Sequence, residues 1–255
     1  MQRVLFNETI FGPIHSRRLG VSLGVNLSPT DGKVCSFDCL YCEAGFNAQG
    51  VGTSGLPTRK QVHQLLHSKL QQMKSNGEAL NVITFSGNGE PTLHPEFDGI
   101  VDDVIALRNE FYPEVKISVL TNSTRLDNDA VCRALHKVDN NILKLDSAIE
   151  ATFQALDRPT SHQLTVSKVI NQLRQFAGTG IIQTMILQGN GIDNTTEDEI
   201  NALIQAYKTI APREIMIYSI DRKTPDESLI KIQRDKLQEI GTLIATKTGI
   251  PVQVS

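Results

Sequence analysis

The chain has 255 residues, of which 40% are hydrophobic and 21% are charged, and its formal net charge is −3. This composition excludes a disordered chain and predicts an ordinary globular protein with a sizeable core. The slightly negative charge disfavours a protein that binds nucleic acid through a large basic surface, but it leaves room for a local RNA-binding patch. No apolar run is long enough to cross a membrane, and residues 1–8 lack the layout of a signal peptide, so we expect a cytoplasmic protein that does not enter a membrane.

In chain order, residues 1–20 are rich in turn-forming residues and are predicted to form an N-terminal segment without regular structure. Residues 21–28 follow as the first strand, because Val21, Leu23 and Val25 alternate with other residues and share one face. Residues 29–33 are predicted to turn.

Three cysteines come directly after that turn. Cys35, Cys39 and Cys42 are spaced C-x3-C-x2-C, and Tyr41 precedes the last of them. Thiolates are the soft ligands that iron–sulfur clusters need, and three of them hold three corners of a cubane cluster with one iron left open. An open iron is suited to chemistry rather than to electron storage alone.

Two other interpretations of the cysteines stay open at this point. A zinc ion would need a fourth ligand, which a distant His15, His63 or His67 would have to supply. The cysteines are also compatible with free thiols that cluster by chance. A disulfide framework is excluded, because a chain of this length with only four cysteines does not depend on cross-links.

A glycine-rich stretch over residues 45–55 has no hydrophobic periodicity. A loop of this length is typically functional or mobile, and we expect it to act as a lid. Lys33, just before the cysteines, is predicted to be a surface charge.

Strands and helices then alternate about six times, which is typical of a parallel sheet covered by helices. The further predicted strands are residues 80–85, 115–120, 141–145, 180–187 and 214–218. The predicted helices are residues 57–76, 97–111, 127–136, 162–176, 196–210 and 234–248, and residues 252–254 form a short tail. A partial, open (β/α)6 barrel and a flat doubly wound sheet both fit this alternation.

The second strand runs into Ser86-Gly87-Asn88-Gly89-Glu90-Pro91-Thr92. Two glycines permit close approach of the backbone to a ligand, although a simple strand–helix turn has the same composition.

Polar residues follow the other strands, at the sheet edge where parallel α/β folds bind ligands. They are Asn122 after the third strand, Lys144 and Asp146 after the fourth, Gln188 and Asn190 after the fifth, and Tyr218 and Asp221 after the sixth. An inward ion pair is the alternative for Lys144 and Asp146, and ordinary loop polarity is the alternative for the others.

Taken together, these features resemble the radical S-adenosylmethionine (radical SAM) superfamily over nearly the whole chain. The resemblance implies an α/β fold, a partial (β/α)6 TIM-like barrel, in a single domain over residues 1–255. It also implies that Cys35, Cys39 and Cys42 hold a [4Fe-4S] cluster whose open iron binds the amino and carboxylate groups of SAM.

Several SAM contacts are implied by the same resemblance. The residues that match are Tyr41, Gly87, Asn88, Gly89, Glu90, Asn122, Lys144, Asp146 and Gln188. The superfamily motif is usually Gly-Gly-Glu-Pro, so Asn88 interrupts the glycine pair here.

A closer resemblance is to the radical SAM group that contains wyosine-tRNA synthesis enzymes. It rests on residues 12–20, on the cysteine motif, on Leu143-Lys144-Leu145-Asp146 and on Leu156-Asp157-Arg158-Pro159. Wyosine-forming enzymes carry a second cysteine set near the N-terminus, whereas this chain has no cysteine before Cys35 and its remaining Cys132 lies in a predicted helix. We therefore expect one cluster, and wyosine formation itself is in doubt.

The implied reaction is reductive cleavage of SAM to methionine and a 5′-deoxyadenosyl radical, which abstracts hydrogen from a substrate. Reduced flavodoxin or ferredoxin would supply the electron. The substrate is open between a small molecule, a peptide and RNA. The alternative functions are tRNA-base modification of the wyosine type, activation of a partner protein, and non-catalytic zinc binding.

The candidate substrate-binding residues are His15, Arg17, Arg18, Tyr218 and Asp221. The first three form a cationic group that suits a phosphate or a carboxylate. As a structural alternative, they pair with Asp38, Glu43 or Glu90.

Overall fold

The computed structural model describes residues 3–16 and 19–255. The strands are β1 (Ile10–Ser16), β2 (Gly20–Val25), β3 (Val82–Phe85), β4 (Lys116–Thr121), β5 (Asn140–Lys144), β6 (Ile181–Met185), β7 (Leu187–Gly189), β8 (Ile192–Asp193), β9 (Glu214–Tyr218), β10 (Ile230–Lys231) and β11 (Val252–Val254). The helices are α1 (Arg59–Ser75), α2 (Phe97–Phe111), α3 (Asp129–Leu135), α4 (Glu150–Asp157), α5 (Val166–Leu173), α6 (Glu197–Ile210) and α7 (Arg234–Thr248).

The main sheet has eight strands in the order β1-β2-β3-β4-β5-β6-β9-β11. From β2 to β11 each strand pairs in parallel with its neighbour, and β1 lies antiparallel to β2 at the edge. A doubly wound sheet reverses its strand order at a switch point, whereas this order runs in one direction only. The partial-barrel prediction is therefore confirmed over the flat alternative.

The sheet is curved. A cavity of about 220 Å³ is lined both by Val82 on β3 and by Gln253 on β11. These strands are five positions apart, which in a flat sheet is about 24 Å. Both strands reach one small cavity only if the sheet bends. The inner face of the sheet is filled by a cluster of Ile142, Ile181 and Met216.

The larger core lies between the outer face of this sheet and the helices. Apolar residues of helical spacing on α1, such as Leu66 and Leu70, are fully buried there. Helix α1 begins at Arg59, two residues after the predicted start, because Thr58 caps it by accepting a hydrogen bond from the backbone of Gln61 in a capping box. The observed bounds of α2, α7 and β9 are the predicted ones.

The structure corrects four sequence predictions. Residues 10–16, expected to be turns, form β1, because pairing with β2 outweighs the low strand propensity of Gly12 and Pro13. Helix α4 was missed, since eight residues carry too little periodicity. The predicted helix 162–176 is shorter, with α5 followed by a 3-10 turn at Arg174–Phe176. The expected tail is β11, which pairs with β9.

A second sheet of three short strands, in the order β10-β7-β8, was not foreseen either. Within residues 3–16 and 19–255, the structure contains no helix with the length and apolar character needed to cross a bilayer.

We predict that Tyr207→Phe lowers the free energy of unfolding by about 1 kcal/mol, because one buried hydrogen bond is lost. The Thr184 hydroxyl donates to the Leu145 carbonyl at 2.7 Å, so the fully buried Tyr207 hydroxyl is the donor in their 2.6 Å contact. Urea denaturation measures the change. Tyr112→Phe is the matched control: its hydroxyl donates to the Glu78 carbonyl in a half-buried position, where water replaces it, so the loss should stay below about 0.5 kcal/mol. Equal losses in both variants would contradict the prediction.

Candidate functional site

The cysteine loop, residues 34–42, follows β2 and lies where the parallel strands end. Ligands bind at this edge in parallel α/β folds. Its cysteines are all free thiols, with Cys39 buried and Cys35 and Cys42 half-buried.

One flank of the cysteine loop is held by the glycine motif after β3. The Val34 N–H donates to the Asn88 carbonyl at 3.3 Å, and the Glu90 N–H donates to the Val34 carbonyl at 2.9 Å. A Cβ atom on Gly89 would lie 1.9 Å from the Val34 oxygen, so only glycine permits this approach. Gly89 therefore permits close approach of the Val34 backbone, which belongs to the protein itself and not to a ligand.

The other flank is held by residues 156–160, which end α4 and continue past it. The Asp38 N–H donates to the Asp157 carbonyl at 3.1 Å, and the Leu40 N–H donates to the Leu156 carbonyl at 3.1 Å. Further along, the Thr160 N–H donates to the Ser36 carbonyl at 2.9 Å. The Leu156-Asp157-Arg158-Pro159 motif is therefore a backbone partner of the cysteine loop, a role that the sequence pattern did not reveal.

Lys33 corrects a sequence prediction, because it is buried rather than a surface charge, with 2% exposure. Its ammonium donates to the Gly45 carbonyl at 2.7 Å and lies 3.4 Å from the Asp38 carboxylate. Asp38 also accepts from the Asn47 N–H at 2.6 Å and pairs with Arg158 at 3.3 Å. These contacts fix the cysteine loop against the residues that follow it. The structural alternative for His15 was pairing with Asp38, and in the described contacts neither Lys33 nor Asp38 pairs with it.

Asn88 is fully buried and its side chain is used within the protein. Its amide donates to the Phe6 and Pro29 carbonyls at 2.8 Å each, and its oxygen accepts from the Phe6 N–H at 2.8 Å. Its backbone N–H donates to the Asn26 side chain at 3.1 Å. The residue that interrupts the glycine pair therefore ties the N-terminal segment to the site and has no group turned to a ligand.

Glu90 connects the ends of β3 and β4. Its carboxylate accepts from the Thr92 N–H (3.0 Å) and hydroxyl (2.6 Å), the Thr121 hydroxyl (2.6 Å) and the Asn122 N–H (2.7 Å). Burial raises the pKa of Glu90, and these donors oppose the shift. The Asn122 amide in turn donates to Cys35 Sγ at 3.5 Å and to Ser36 Oγ at 2.9 Å. Glu90 therefore acts on the cysteine loop through Asn122.

A buried ionic network surrounds Cys39. The Lys144 ammonium lies 3.5 Å from Cys39 Sγ and 2.8 Å from the Asp157 carboxylate, and it also contacts Asp146 and the Tyr41 hydroxyl. Burial opposes its charge, but the two carboxylates raise the pKa of Lys144 well above its ordinary value. The alternative of an inward ion pair between Lys144 and Asp146 is what the structure contains.

The carboxylates of this network differ in their partners. Asp146 is fully buried and accepts from the Met185 N–H at 2.9 Å and from the Tyr41 hydroxyl. Burial raises the pKa of Asp157 to about 7, against the influence of Lys144. Burial likewise raises the pKa of the Tyr41 hydroxyl well above its ordinary value.

A cavity of about 260 Å³ opens beside the cysteine loop. Its walls include Tyr41 and Cys42 on one side and Tyr218 and Asp221 on the other, with Gln183 between them. The structure thus brings these four residues and the inward-facing Gln183, which the sequence did not single out, to one place.

Other sequence candidates lie elsewhere. His15 pairs with Val21 at the start of β2, at the end of the sheet opposite to the cysteine loop. The Gln188 amide donates to Asp193 at 2.9 Å and to Thr195 at 3.2 Å, and the Asn190 amide donates to Asp226 at 2.7 Å. Arg17 and Arg18 lie outside the described residues.

The three cysteines fit a cluster better than a single ion. In the described parts of the chain, no three His, Cys, Asp or Glu side chains converge as a single metal ion requires. His63 and His67, two of the possible zinc ligands, stack on one another on α1, where His67 also meets Phe111. Burial raises the pKa of the Cys35 and Cys39 thiols. Three soft donors on one loop suit an iron–sulfur cluster.

The C-terminal part of the glycine-rich stretch is attached to Asp31, in addition to the contacts that Lys33 and Asp38 make with Gly45 and Asn47. The Asp31 carboxylate accepts from the Thr53 N–H (2.8 Å) and hydroxyl (2.8 Å) and from the Ser54 N–H (3.1 Å) and hydroxyl (2.7 Å). The backbone N–H of Thr53 and the other donors hold the pKa of Asp31 well below its ordinary value of 3.8.

A sequence model of the radical SAM superfamily matches residues 30–207, more than half of the chain. A protein of Brachyspira hyodysenteriae named GTPase Obg is 25% identical over 98% of this chain, which spans only 35% of that relative's length. A UPF0026 protein of Helicobacter pylori is 26% identical over 89% of this chain and 71% of its own length.

Solved structures share the fold. A radical SAM methyltransferase from Sphaerobacter thermophilus has a TM-score of 0.68 at 15% identity, covering 92% of this chain and 65% of that one. TYW1 with a lysine-pyruvate adduct bound has a TM-score of 0.61 at 15% identity, covering 88% of this chain and 73% of that one. Streptococcus suis SuiB bound to S-adenosylmethionine has a TM-score of 0.64 at 14% identity, covering 91% and 49%.

We predict that Glu90→Gln lowers the free energy of unfolding by about 2–4 kcal/mol. Glutamine offers one acceptor oxygen and places an amide donor against the remaining donors of Glu90, so buried groups lose their partner. Chemical denaturation measures the loss. Glu96→Gln, on an exposed side chain, is the control and should change stability by less than about 0.5 kcal/mol. A Glu90→Gln protein as stable as this control would contradict the role of Glu90.

We predict that Asp31→Asn increases the hydrogen–deuterium exchange of residues 52–55 several-fold at pH 7, because the amide side chain accepts fewer hydrogen bonds from Thr53 and Ser54. Folding lowers the pKa of Asp31, so in the native chain the attachment is fully present above pH 3.8 and is lost as the pH falls further. Asp198→Asn, on α6, is the control. Equal exchange in Asp31→Asn and in the native protein would show that other contacts hold this stretch.

Proposed function

The chain belongs to the radical SAM superfamily, and from this we propose that it binds a [4Fe-4S] cluster on Cys35, Cys39 and Cys42 and cleaves S-adenosylmethionine beside it to start hydrogen abstraction. The observation that carries the proposal is the cysteine loop itself, whose three sulfur donors are fixed from both flanks next to a cavity.

The bound cluster would supply the electron that splits SAM into methionine and a 5′-deoxyadenosyl radical. The chain's own residues position the reactants and exclude water. The Asn122 amide orients Cys35, and the buried network of Lys144, Asp146 and Tyr41 forms the floor beneath Cys39.

The proposed SAM contacts are narrower than the set that the sequence predicted. We keep Tyr41, which borders the cavity, and the half-buried backbone at Gly87, and we add Gln183. Asn88, Gly89 and Glu90 are assigned to holding the cysteine loop, because their polar groups or close contacts are used within the protein. We leave out Gln188, whose amide is bonded to Asp193 and Thr195.

For the substrate, we propose that Tyr218 and Asp221 line its place in the same cavity. We leave His15 out of the proposed site, because it lies at the end of the sheet opposite to the cysteine loop. Reduced flavodoxin or ferredoxin remains the proposed electron donor, and a small molecule, a peptide or an RNA base remains the proposed substrate class.

We propose that the chain is related to the radical SAM group that contains wyosine-tRNA synthesis enzymes. This proposal rests on short motifs and on a fold shared with TYW1. We propose that the one cysteine set described here, Cys35, Cys39 and Cys42, binds one cluster, and tRNA-base modification of the wyosine type stays an alternative function. We also propose that the chain acts as a single domain over residues 1–255 and that residues 45–55 close over the cavity.

We predict that the anaerobically reconstituted protein, reduced with dithionite, produces 5′-deoxyadenosine from SAM. Changing Cys35, Cys39 or Cys42 to Ala should abolish both the iron–sulfur absorption and the product, because each change removes one cluster ligand. Iron and sulfide analysis and chromatography of the nucleoside are the measurements.

Cys132→Ala is the matched control, since Cys132 is buried on α3 and its thiol contacts the Leu126 carbonyl at 3.2 Å. It should retain iron, sulfide and product. A native protein that takes up zinc in place of iron and sulfide would refute the proposal and support the non-catalytic zinc alternative.

A further inference from the structure

The Lys144 ammonium is enclosed by protein groups. Its side chain is 14% exposed, and its nitrogen contacts Cys39 Sγ at 3.5 Å, the Asp157 carboxylate at 2.8 Å, Asp146 and the Tyr41 hydroxyl. It also lies 4.4 Å from the centre of the Tyr41 ring. The carboxylates of Asp146 and Asp157 already pair with the Lys144 ammonium, so the carboxylate of SAM would have to displace one of them.

Among these contacts, Cys39 is the proposed cluster ligand that Lys144 reaches. The contact is fixed from both sides, because the carbonyls of Leu156 and Asp157 hold the backbone on either side of Cys39. The segment that carries the Asp157 carboxylate thus also positions the sulfur.

Hydrogen bonds to cysteine sulfur and nearby buried charges set the potentials of iron–sulfur clusters. Uptake of one electron makes a cluster and its thiolates more negative. A cation beside one sulfur stabilises the reduced form, and the effect is strong because this region is shielded from water.

We infer that Lys144 is a positioning residue that acts through Cys39 to raise the reduction potential of the cluster, and that the Asp157 carboxylate lowers it by offsetting the ammonium charge. The inference rests on the proposed function, since it concerns the cluster on Cys35, Cys39 and Cys42. The electron comes from the proposed donor, reduced flavodoxin or ferredoxin.

The Lys144 ammonium and the Asp157 carboxylate should have opposite effects on the reduction potential of the cluster. Removing the cation should favour the oxidised form, and removing the carboxylate charge should favour the reduced form. Asp157 is suited to the test because the described partner of its buried carboxylate is the Lys144 ammonium and no backbone donor, so Asp157→Asn removes charge without taking an acceptor from the backbone.

The experiment is a redox titration of the reconstituted protein at pH 8 without SAM, followed by electron paramagnetic resonance of the reduced cluster. Lys144→Met should lower the equilibrium constant for reduction at least tenfold, which is 59 mV for a one-electron couple. Lys144→Arg should recover most of this loss, and Asp157→Asn should shift the potential upward.

The outcomes separate the two claims. A native protein that assembles no cluster contradicts the proposed function. A cluster of native iron and sulfide content whose potential in Lys144→Met is unchanged or higher overturns the inference and leaves the proposed function standing. If Lys144→Met does not fold, Asp157→Asn decides alone. A reduction potential below that of the native protein would overturn the inference, because SAM is absent and only the protein's own charges act on the cluster.

Discussion

Backbone hydrogen bonds from two distant parts of the chain hold the cysteine loop, and the rest of the site depends on them. The glycine motif after β3 binds Val34 on one flank, and residues 156–160 bind Ser36, Asp38 and Leu40 on the other. A loop of this kind has no regular structure of its own, so its sulfur atoms have defined positions only when both flanks are in place. Gly89 and the end of α4 have the same role in this geometry, because each lets two backbone segments meet.

Three buried polar side chains beside the loop have partners within the protein. Glu90, Asn88 and Lys33 would each be costly to bury alone, and each is surrounded by hydrogen-bond or ionic partners. Such networks specify one arrangement, because a shift of any member leaves a buried group without a partner. The cavity lined by Tyr41 and Asp221 opens beside these surroundings and is the proposed place for a ligand to meet the loop.

The sequence allowed the strand–helix alternation and the cysteine loop to be predicted, because periodicity and residue spacing are local signals. The barrel class was implied by the resemblance to the radical SAM superfamily, since periodicity alone fits a flat sheet equally well. The bounds of α2, α7 and β9 were predicted to the residue. Burial of Lys33 was not, since a lysine is buried only by partners that are distant in sequence or placed by the turn of the loop. Asn88 resembled a ligand contact for a similar reason: its partners, Phe6 and Pro29, lie far from it in the chain.

The two flanks of the cysteine loop also impose an order of assembly. The hydrogen bond from the Thr160 hydroxyl to the Ser36 carbonyl spans 124 residues. A ribosome that has just produced the three cysteines has yet to make β3 to β5 and α4, so the loop has no second flank during that interval. Closing so long a stretch of chain is an entropic cost that only the folded barrel offsets. It follows that a correctly shaped set of thiols exists late in biogenesis, after most of the barrel has formed, and that loading of the proposed cluster would belong to maturation rather than to early folding.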